Sequence, residues 1–117
     1  MAVKRIVPDL ATEDPEEARA FYQELLDLDL VMNQGWIVTL ASDATTTPQL
    51  SLAREGGSGA PVPDLSIEVD DVDHVHEKAL TSGYEIVYDL CDEPWGVRRF
   101  FVRDPAGKIL NILAHTR

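Results

Sequence analysis

The stretch "FFVRDPAGKILNIL", from Phe100 to Leu113, decides the fold of this 117-residue chain. Its centre, Asp-Pro-Ala-Gly at residues 104–107, predicts a tight turn, because proline fixes φ and glycine accepts positive φ. The apolar residues on both sides predict two strands joined by that turn. One polar side chain, Asn111, interrupts the second strand. We expect Asn111 to face a ligand cavity; the alternative is a bond to a neighbouring side chain or an ordered water.

The clearest helix signal is "DPEEARAFYQELL", residues 14–26. Asp14 is a suitable N-cap, Pro15 fits the first helical turn, and Glu17 can complete the capping interaction. Apolar side chains recur at helical spacing and form one face, which consists of Ala18, Phe21, Tyr22, Leu25 and Leu26. This face predicts packing in the core rather than contact with a cofactor.

A second helix is predicted to begin at the cap Asp71 and to end at Gly83. Its apolar face is formed by Val72, Val75, Ala79 and Leu80. Apolar runs and alternation predict eight strands, at residues 3–11, 28–33, 35–42, 48–54, 63–70, 84–91, 97–103 and 108–115. The segment 55–63, "EGGSGAPVP", has no periodicity and predicts a linker.

The order of the predicted elements repeats within the chain. A shift of 57 residues (71 − 14) lays Asp14 on Asp71, helix on helix and strand on strand. The pattern predicts an α+β fold, in which two βαβββ modules curl a mixed sheet around a cavity with the helices outside. We expect one domain over residues 1–117, with module one at about 1–54 and module two at about 64–117.

The charge balance narrows the class of partner. Ten Lys and Arg against 21 Asp and Glu give a net charge of −11, which disfavours nucleic acid and anionic membranes and favours a cationic small molecule. Solubility alone is the alternative explanation. The chain has no long apolar stretch at its start, so the cytoplasm is the expected location. Its single cysteine, Cys91, excludes an intrachain disulfide.

Three stretches together resemble one family: "DPEEARAFYQELLDLDL" (14–30), "SIEVDDVDHV" (66–75) and "FFVRDPAGKILNIL" (100–113). The chain resembles the vicinal oxygen chelate superfamily, which includes glyoxalase I, extradiol dioxygenases and bleomycin-resistance proteins. The resemblance implies two βαβββ modules, often in a homodimer whose modules are paired or exchanged. It also implies that enzymes of this type hold a divalent metal by His or Glu on the first and last strands of each module.

The positions that correspond to those ligands are Val7, Ser51, Asp64 and Asn111. Valine cannot coordinate a metal, and neutral serine and asparagine are poor ligands compared with imidazole and carboxylate. We therefore expect no metal and no cofactor. Of the histidines, His76 lies on an apolar helix face and predicts a packing role, whereas His115 either reaches the cavity or is solvated.

Strand parity and aromatic character select a set of candidate ligand-binding residues. The set is Trp36, Gln49, Ser51, Asp64, Ser66, Glu68, Trp95 and Asn111. Asp92 and Glu93 next to Trp95 would suit a cationic group, whereas core filling is the alternative for both tryptophans. Alternation places Arg98 on one sheet face and Arg99 on the other.

These features favour a metal-free binding protein similar to bleomycin-resistance proteins, which sequester a cationic, partly planar antibiotic in a cleft between subunits. Two alternatives stay open. One is an enzyme, either a glyoxalase-like lyase or isomerase or a dioxygenase; a metal-free variant would use Asp64 or Glu68 as general base. The other is a non-catalytic interaction module that keeps the fold and uses its surface.

Overall fold

The structure is a computed structural model that describes Met1, residues 4–46 and residues 48–116. Its two helices are α1 (Pro15–Leu26) and α2 (Val72–Thr81). The strands are β1 (Asp29–Asn33), β2 (Val38–Ala41), β3 (Leu65–Glu68), β4 (Ile86–Glu93), β5 (Val97–Arg103) and β6 (Ile109–His115). Within the described residues, neither helix is long and apolar enough to cross a membrane.

Both helices begin as the sequence predicts. The Asp14 carboxylate accepts a hydrogen bond from the backbone N–H of Glu17, and that of Asp71 accepts one from His74, each at 3.1 Å. These bonds satisfy N–H groups that have no partner within the helix. The core-facing residues are Phe21, Tyr22 and Leu25 on α1 and Val72, Val75 and Ala79 on α2.

The prediction for Leu80 is wrong, because this side chain is 55% exposed. A helix advances by about 100° per residue, so Leu80 lies to one side of the core position that Ala79 occupies. His76 has the packing role that its position predicts: its ring meets that of Phe100 edge to face, with centroids 4.9 Å apart.

The strands form a four-stranded sheet of order β3-β6-β5-β4 and a separate two-stranded sheet of β1 and β2. β3 runs parallel to β6, and the remaining pairs are antiparallel, so the larger sheet is mixed. The second half of the chain is thus a complete βαβββ unit. The α+β class is confirmed, but the described sheets are two rather than one curled sheet.

Two predicted strands are wrong. Residues 4–11 and 48–54 have no strand structure. An alternating pattern shows that a segment could pair, but a strand also requires a neighbour that supplies hydrogen bonds, and Pro8 and Pro48 each remove one donor. The first half therefore contributes a helix and a hairpin, and the tandem repeat is not confirmed.

The core lies between the helices and one face of the four-stranded sheet. The sheet contributes four side chains with no exposed surface, Phe100, Val102, Leu110 and Ile112. The Asp104 turn ties this sheet to α1, because Oδ2 of the buried Asp104 accepts a 2.7 Å hydrogen bond from the Tyr22 hydroxyl. Its Oδ1 accepts from the N–H groups of Ala106 and Lys108.

Candidate ligand-binding face

Among the described residues, no helix packs on the opposite face of the four-stranded sheet. Three of the six polar candidates lie on this face: Ser66, Glu68 and Asn111. We call it the helix-free face and define it by Ser66, Asn111, Phe101 and Arg99. Asn111 pairs with Ser66 on one side and with Phe101 on the other, so strand pleating directs all three side chains the same way. The polar residue inside an apolar strand therefore belongs to a continuous surface.

Asn111 is buried, with 8% of its surface exposed. Its Nδ2 lies 3.1 Å from Ser66 Oγ, and its Oδ1 has no hydrogen-bond partner among the described residues. Exchanging the amide oxygen and nitrogen does not remove this deficit, because the serine hydroxyl can donate or accept but bonds only one of the two atoms. Asn111 therefore presents an unsatisfied hydrogen-bonding group.

A titratable pair lies farther along the same face. Glu68 Oε2 is 2.8 Å from His115 Nδ1, and both side chains are more than half exposed. The contact joins β3 to β6, and the exposure of His115 agrees with the solvated alternative. The pair is exposed, so it can exchange partners with a ligand at little cost.

Asp64 has a structural contact instead of a free carboxylate. Its Oδ2 accepts a 2.8 Å hydrogen bond from the Ile109 N–H, at the point where β6 begins. The other positions that correspond to metal ligands, Val7 and Ser51, lie exposed in the segments without strand structure. A set of one occupied carboxylate, one carboxamide, one hydroxyl and one valine does not fit a divalent transition metal.

No other metal site is evident in the part of the chain that the structure describes. There, no three His, Cys, Asp or Glu side chains come together in an arrangement that would hold an ion.

The other half of the helix-free face is built around Arg99, whose side chain is only 5% exposed. Its Nε donates to Glu93 Oε2 at 2.7 Å, and its terminal nitrogens donate to the carbonyls of Gly56 and Gly57 at 2.8 and 3.2 Å. The guanidinium carbon also lies 4.9–5.0 Å from the ring centres of Tyr88, Trp95 and Phe101. These contacts fix the glycine-rich segment against the sheet.

Glu93 balances this buried cation. Burial by itself raises the pKa of Glu93, but hydrogen bonds from Tyr88, Arg99 and Ser58 together hold it below the ordinary value of 4.5. The contacts include a 2.8 Å bond from the Tyr88 hydroxyl and a 3.0 Å bond from the Ser58 hydroxyl. Glu93 is therefore ionised at neutral pH.

This arrangement changes the role expected for Trp95. The sequence predicts that Asp92 and Glu93 bind a cationic ligand next to the indole. This prediction is wrong, since each carboxylate pairs with an arginine of the chain itself. Arg99 takes the cation position against the Trp95 ring. The indole stays half exposed, so part of its surface is still accessible.

The remaining candidates lie apart from this face. Trp36 is 78% exposed and borders a cavity next to α1 and β2. Gln49 and Ser51 are exposed in the irregular segment between the two halves. The structure thus brings together Ser66, Asn111 and Glu68, with Trp95 at the Arg99 end of the same sheet, and separates the rest.

The candidate set from the sequence does not include Tyr88, Glu93, Arg99 and Phe101, which lie on this face. Alternation placed Arg99 on the face opposite Arg98, and that placement agrees with the contact of Arg98 with Asp73 of α2. The partners of Arg99 at Gly56 and Gly57 are 43 and 42 residues away in the sequence. No local pattern predicts contacts of that separation.

One known protein family matches this chain over most of its length. The model of the Glyoxalase/Bleomycin resistance protein/Dioxygenase superfamily matches residues 3–112. No curated protein sequence matches the chain.

Solved structures share the fold at low sequence identity. The antibiotic-binding protein TnmS3 from Streptomyces sp. CB03234 is 20% identical, with a TM-score of 0.74 and 99% of each chain covered. TioX from Micromonospora sp. ML1 is 22% identical, with a TM-score of 0.66, over 97% of this chain and 98% of that one. A lactoylglutathione lyase from Agrobacterium tumefaciens is 18% identical, with a TM-score of 0.62, over 90% and 88%.

The family match spans nearly all of the chain, including α1, the Asp104 turn and both sheets. The chain belongs to the Glyoxalase/Bleomycin resistance protein/Dioxygenase superfamily.

Proposed function

We propose that this chain is a metal-free binding protein that holds a small cationic or aromatic molecule, such as an antibiotic, on the helix-free face. The observation that carries the proposal is Asn111, a buried carboxamide with one heteroatom unsatisfied within the described chain. Such a group costs roughly 1–3 kcal/mol when it stays unpaired, so a ligand that bonds it recovers that free energy.

Charge favours a cation as the ligand. Glu68 supplies a carboxylate farther along the same face, where it contacts His115, and the chain as a whole carries a net charge of −11. A field of this sign raises the local concentration of cations and speeds their association. TnmS3, a protein of the same fold, is an antibiotic-binding protein, which supports a small-molecule ligand for this chain.

The enzymatic alternative, a glyoxalase-like lyase or isomerase or a dioxygenase, has weaker support. The donor set at the corresponding positions does not fit a metal. The two candidate general bases, Asp64 and Glu68, are exposed and bonded to Ile109 and His115. A non-catalytic interaction module is the remaining alternative, and it predicts no small-molecule binding at Asn111.

The direct test uses calorimetric titration with a cationic aromatic antibiotic, bleomycin, against wild type and Asn111→Leu. We expect the variant to bind roughly tenfold or more weakly, because leucine cannot replace the hydrogen bond. Asn33→Leu is the matched control, since Asn33 lies exposed in β1 and its side chain accepts a hydrogen bond from Gly35 of its own turn. Equal affinity of Asn111→Leu and wild type would remove Asn111 from the site.

A homodimer is part of the same proposal. Leu50 and Leu52 are 77% and 90% exposed in a segment whose alternation predicts a strand that finds no partner within the described chain. A second copy would cover these leucines and supply the missing strand neighbour. A cytoplasmic location, and the absence of nucleic acid and membrane partners, stay predictions from the sequence.

Sedimentation velocity tests the dimer. We expect wild type to sediment as a dimer and the double variant Leu50→Lys/Leu52→Lys to sediment as a monomer, because lysine side chains oppose burial at an interface. Leu80→Lys is the control, since Leu80 is a partly exposed leucine on α2. A monomeric wild type, or a double variant that stays dimeric, would contradict this part of the proposal.

A further inference from the structure

A cavity of about 460 Å³ lies on the other side of the molecule from the helix-free face. Its walls come from residues 7–12, from α1, from the β1–β2 hairpin and from the helix-facing side of β3. The volume falls within the range of ligand pockets in proteins, about 300–1,000 Å³. The binding proposed for the helix-free face does not use this cavity.

The lining of the cavity is mainly apolar. Ala18 and Tyr22 contribute from α1, Leu40 from β2, and Leu65 and Ile67 from β3. The exposed indole of Trp36 stands at its border. Aliphatic walls with an aromatic plane at the border are typical of sites for flat apolar molecules.

The polar groups of the lining are mostly occupied by the protein. The Tyr22 hydroxyl donates to Asp104, and Thr12 bonds the backbone of Asp14. The Arg19 guanidinium donates to Gln23 at 2.8 Å and to Glu16 at 3.3 Å. Asp9 is the only lining carboxylate among the described residues, and it is exposed.

We propose that this cavity is a second binding site, which takes a neutral, largely apolar aromatic molecule that packs against Trp36. A cation gains little there, because the walls offer no buried carboxylate. This proposal does not rest on the function proposed for the helix-free face, and the two sites differ in both position and ligand charge.

The chain offers a matched pair of variants for the test. Ala18→Leu adds three carbon atoms on the cavity side of α1, whereas Ala20→Leu adds the same atoms at an exposed position of the same helix that does not line the cavity. Both changes have the same effect on helix propensity. Any difference in binding between them therefore reports on the cavity.

The probe is 2-naphthol, a neutral bicyclic aromatic, titrated into labelled protein while the two tryptophan indole N–H signals are followed by nuclear magnetic resonance. Trp36→Phe and Trp95→Phe assign the two signals. We expect a saturable shift of the Trp36 signal, with Trp95 and the Asn111 side-chain amide unmoved. Ala18→Leu should weaken binding by roughly tenfold or more, since it takes volume from the cavity, and Ala20→Leu should bind as wild type does.

The proposal is overturned if the Trp36 signal does not move, or if Ala18→Leu and Ala20→Leu bind equally well. Shifts of the Trp95 and Asn111 signals instead would assign 2-naphthol to the helix-free face and would also overturn it. Failure of bleomycin to bind at Asn111 would leave these outcomes unchanged, so the two proposals are tested separately.

Discussion

The hydroxyl of Tyr22 on α1 donates a 2.7 Å hydrogen bond to the carboxylate of Asp104, which lies 82 residues later in the turn before β6. Both residues are buried. Burial and this bond raise the pKa of the Tyr22 hydroxyl, which keeps it protonated and able to donate. Two of the three stretches that resemble the family, the one with Tyr22 and the one with the Asp104 turn, are therefore in direct contact.

Removing this bond should destabilise the fold. Tyr22→Phe leaves the buried Asp104 carboxylate without its tyrosine donor, and we expect a loss of about 1.5–3 kcal/mol in the free energy of unfolding. Urea denaturation measures it. Tyr84→Phe removes a hydroxyl from a less buried tyrosine and should cost less. Equal losses in the two variants would show that the Tyr22–Asp104 bond contributes no more to the free energy of unfolding than the hydroxyl of Tyr84.

The glycine-rich segment offers a matched pair of substitutions. Gly57 and Gly59 have φ of +85° and +77°, so alanine at either position costs about 1–2 kcal/mol of backbone strain. At Gly57 the added methyl carbon would also lie 2.8 Å from Trp95 Cη2, whereas at Gly59 nothing lies within 4 Å. We expect Gly57→Ala to lose about 1–3 kcal/mol more than Gly59→Ala.

Thermal or urea unfolding measures that difference, and the emission of Trp95 in a Trp36→Phe background should change only in Gly57→Ala. If both alanine variants lose the same free energy, the segment does not pack on Trp95 in solution. Such a result would also contradict the hydrogen bonds from Arg99 to the carbonyls of Gly56 and Gly57.

Stability should depend on pH through Glu93. Its pKa is lower in the folded protein than the ordinary 4.5, so ionised Glu93 stabilises the fold above that value. This contribution declines as the pH falls below about 4.5 and through the folded pKa. The free-energy difference between wild type and Glu93→Gln should therefore be larger at pH 7 than at pH 3.

Urea unfolding at the two pH values measures this difference. Glu85→Gln is the control, because the Glu85 side chain is 64% exposed and pairs with Arg103 at the surface. Its difference from wild type should change little with pH. A Glu93→Gln difference that is the same at pH 7 and pH 3 would contradict the buried pairing of Glu93 with Arg99.

Metal content tests the donor set. Mass spectrometry of protein purified without chelator or affinity tag should find no stoichiometric metal, and titration with Zn²⁺, Ni²⁺, Mn²⁺ or Fe²⁺ should show no specific binding. The reason is that valine, serine and asparagine occupy three of the four ligand positions. One tightly bound ion per site would contradict the assignment of Val7, Ser51, Asp64 and Asn111, and would favour a glyoxalase-type enzyme.

Much of the second half of the fold follows from local sequence signals. The cap at Asp71, the apolar face of α2 and the turn at Asp104 each lie within a few residues of the structure they specify. Strand parity also places Ser66 and Asn111 on one face, and the structure pairs them directly. These predictions succeed because the period of a helix or a strand is a local property.

The first half shows where local signals fail. Residues 4–11 and 48–54 have strand-like patterns but form no strand, because pairing depends on a partner that the pattern does not name. Two residues predicted in one ligand-binding site, Trp36 and Trp95, lie apart for a similar reason. Trp36 lies by the cavity next to α1, and Trp95 lies against Arg99 on the other sheet face.

The sequence by itself determined the family, the two helices, the second-half strands and the face on which Asn111 lies. Only the tertiary structure decided that Arg99 lies buried among three aromatic rings, that Glu93 and Asp92 pair with arginines of the same chain, and that one atom of the Asn111 amide has no partner among the described residues. Caps, turns and periodicities act between near neighbours in the chain. The charge pairing and burial of a side chain depend on residues that folding brings together from distant positions.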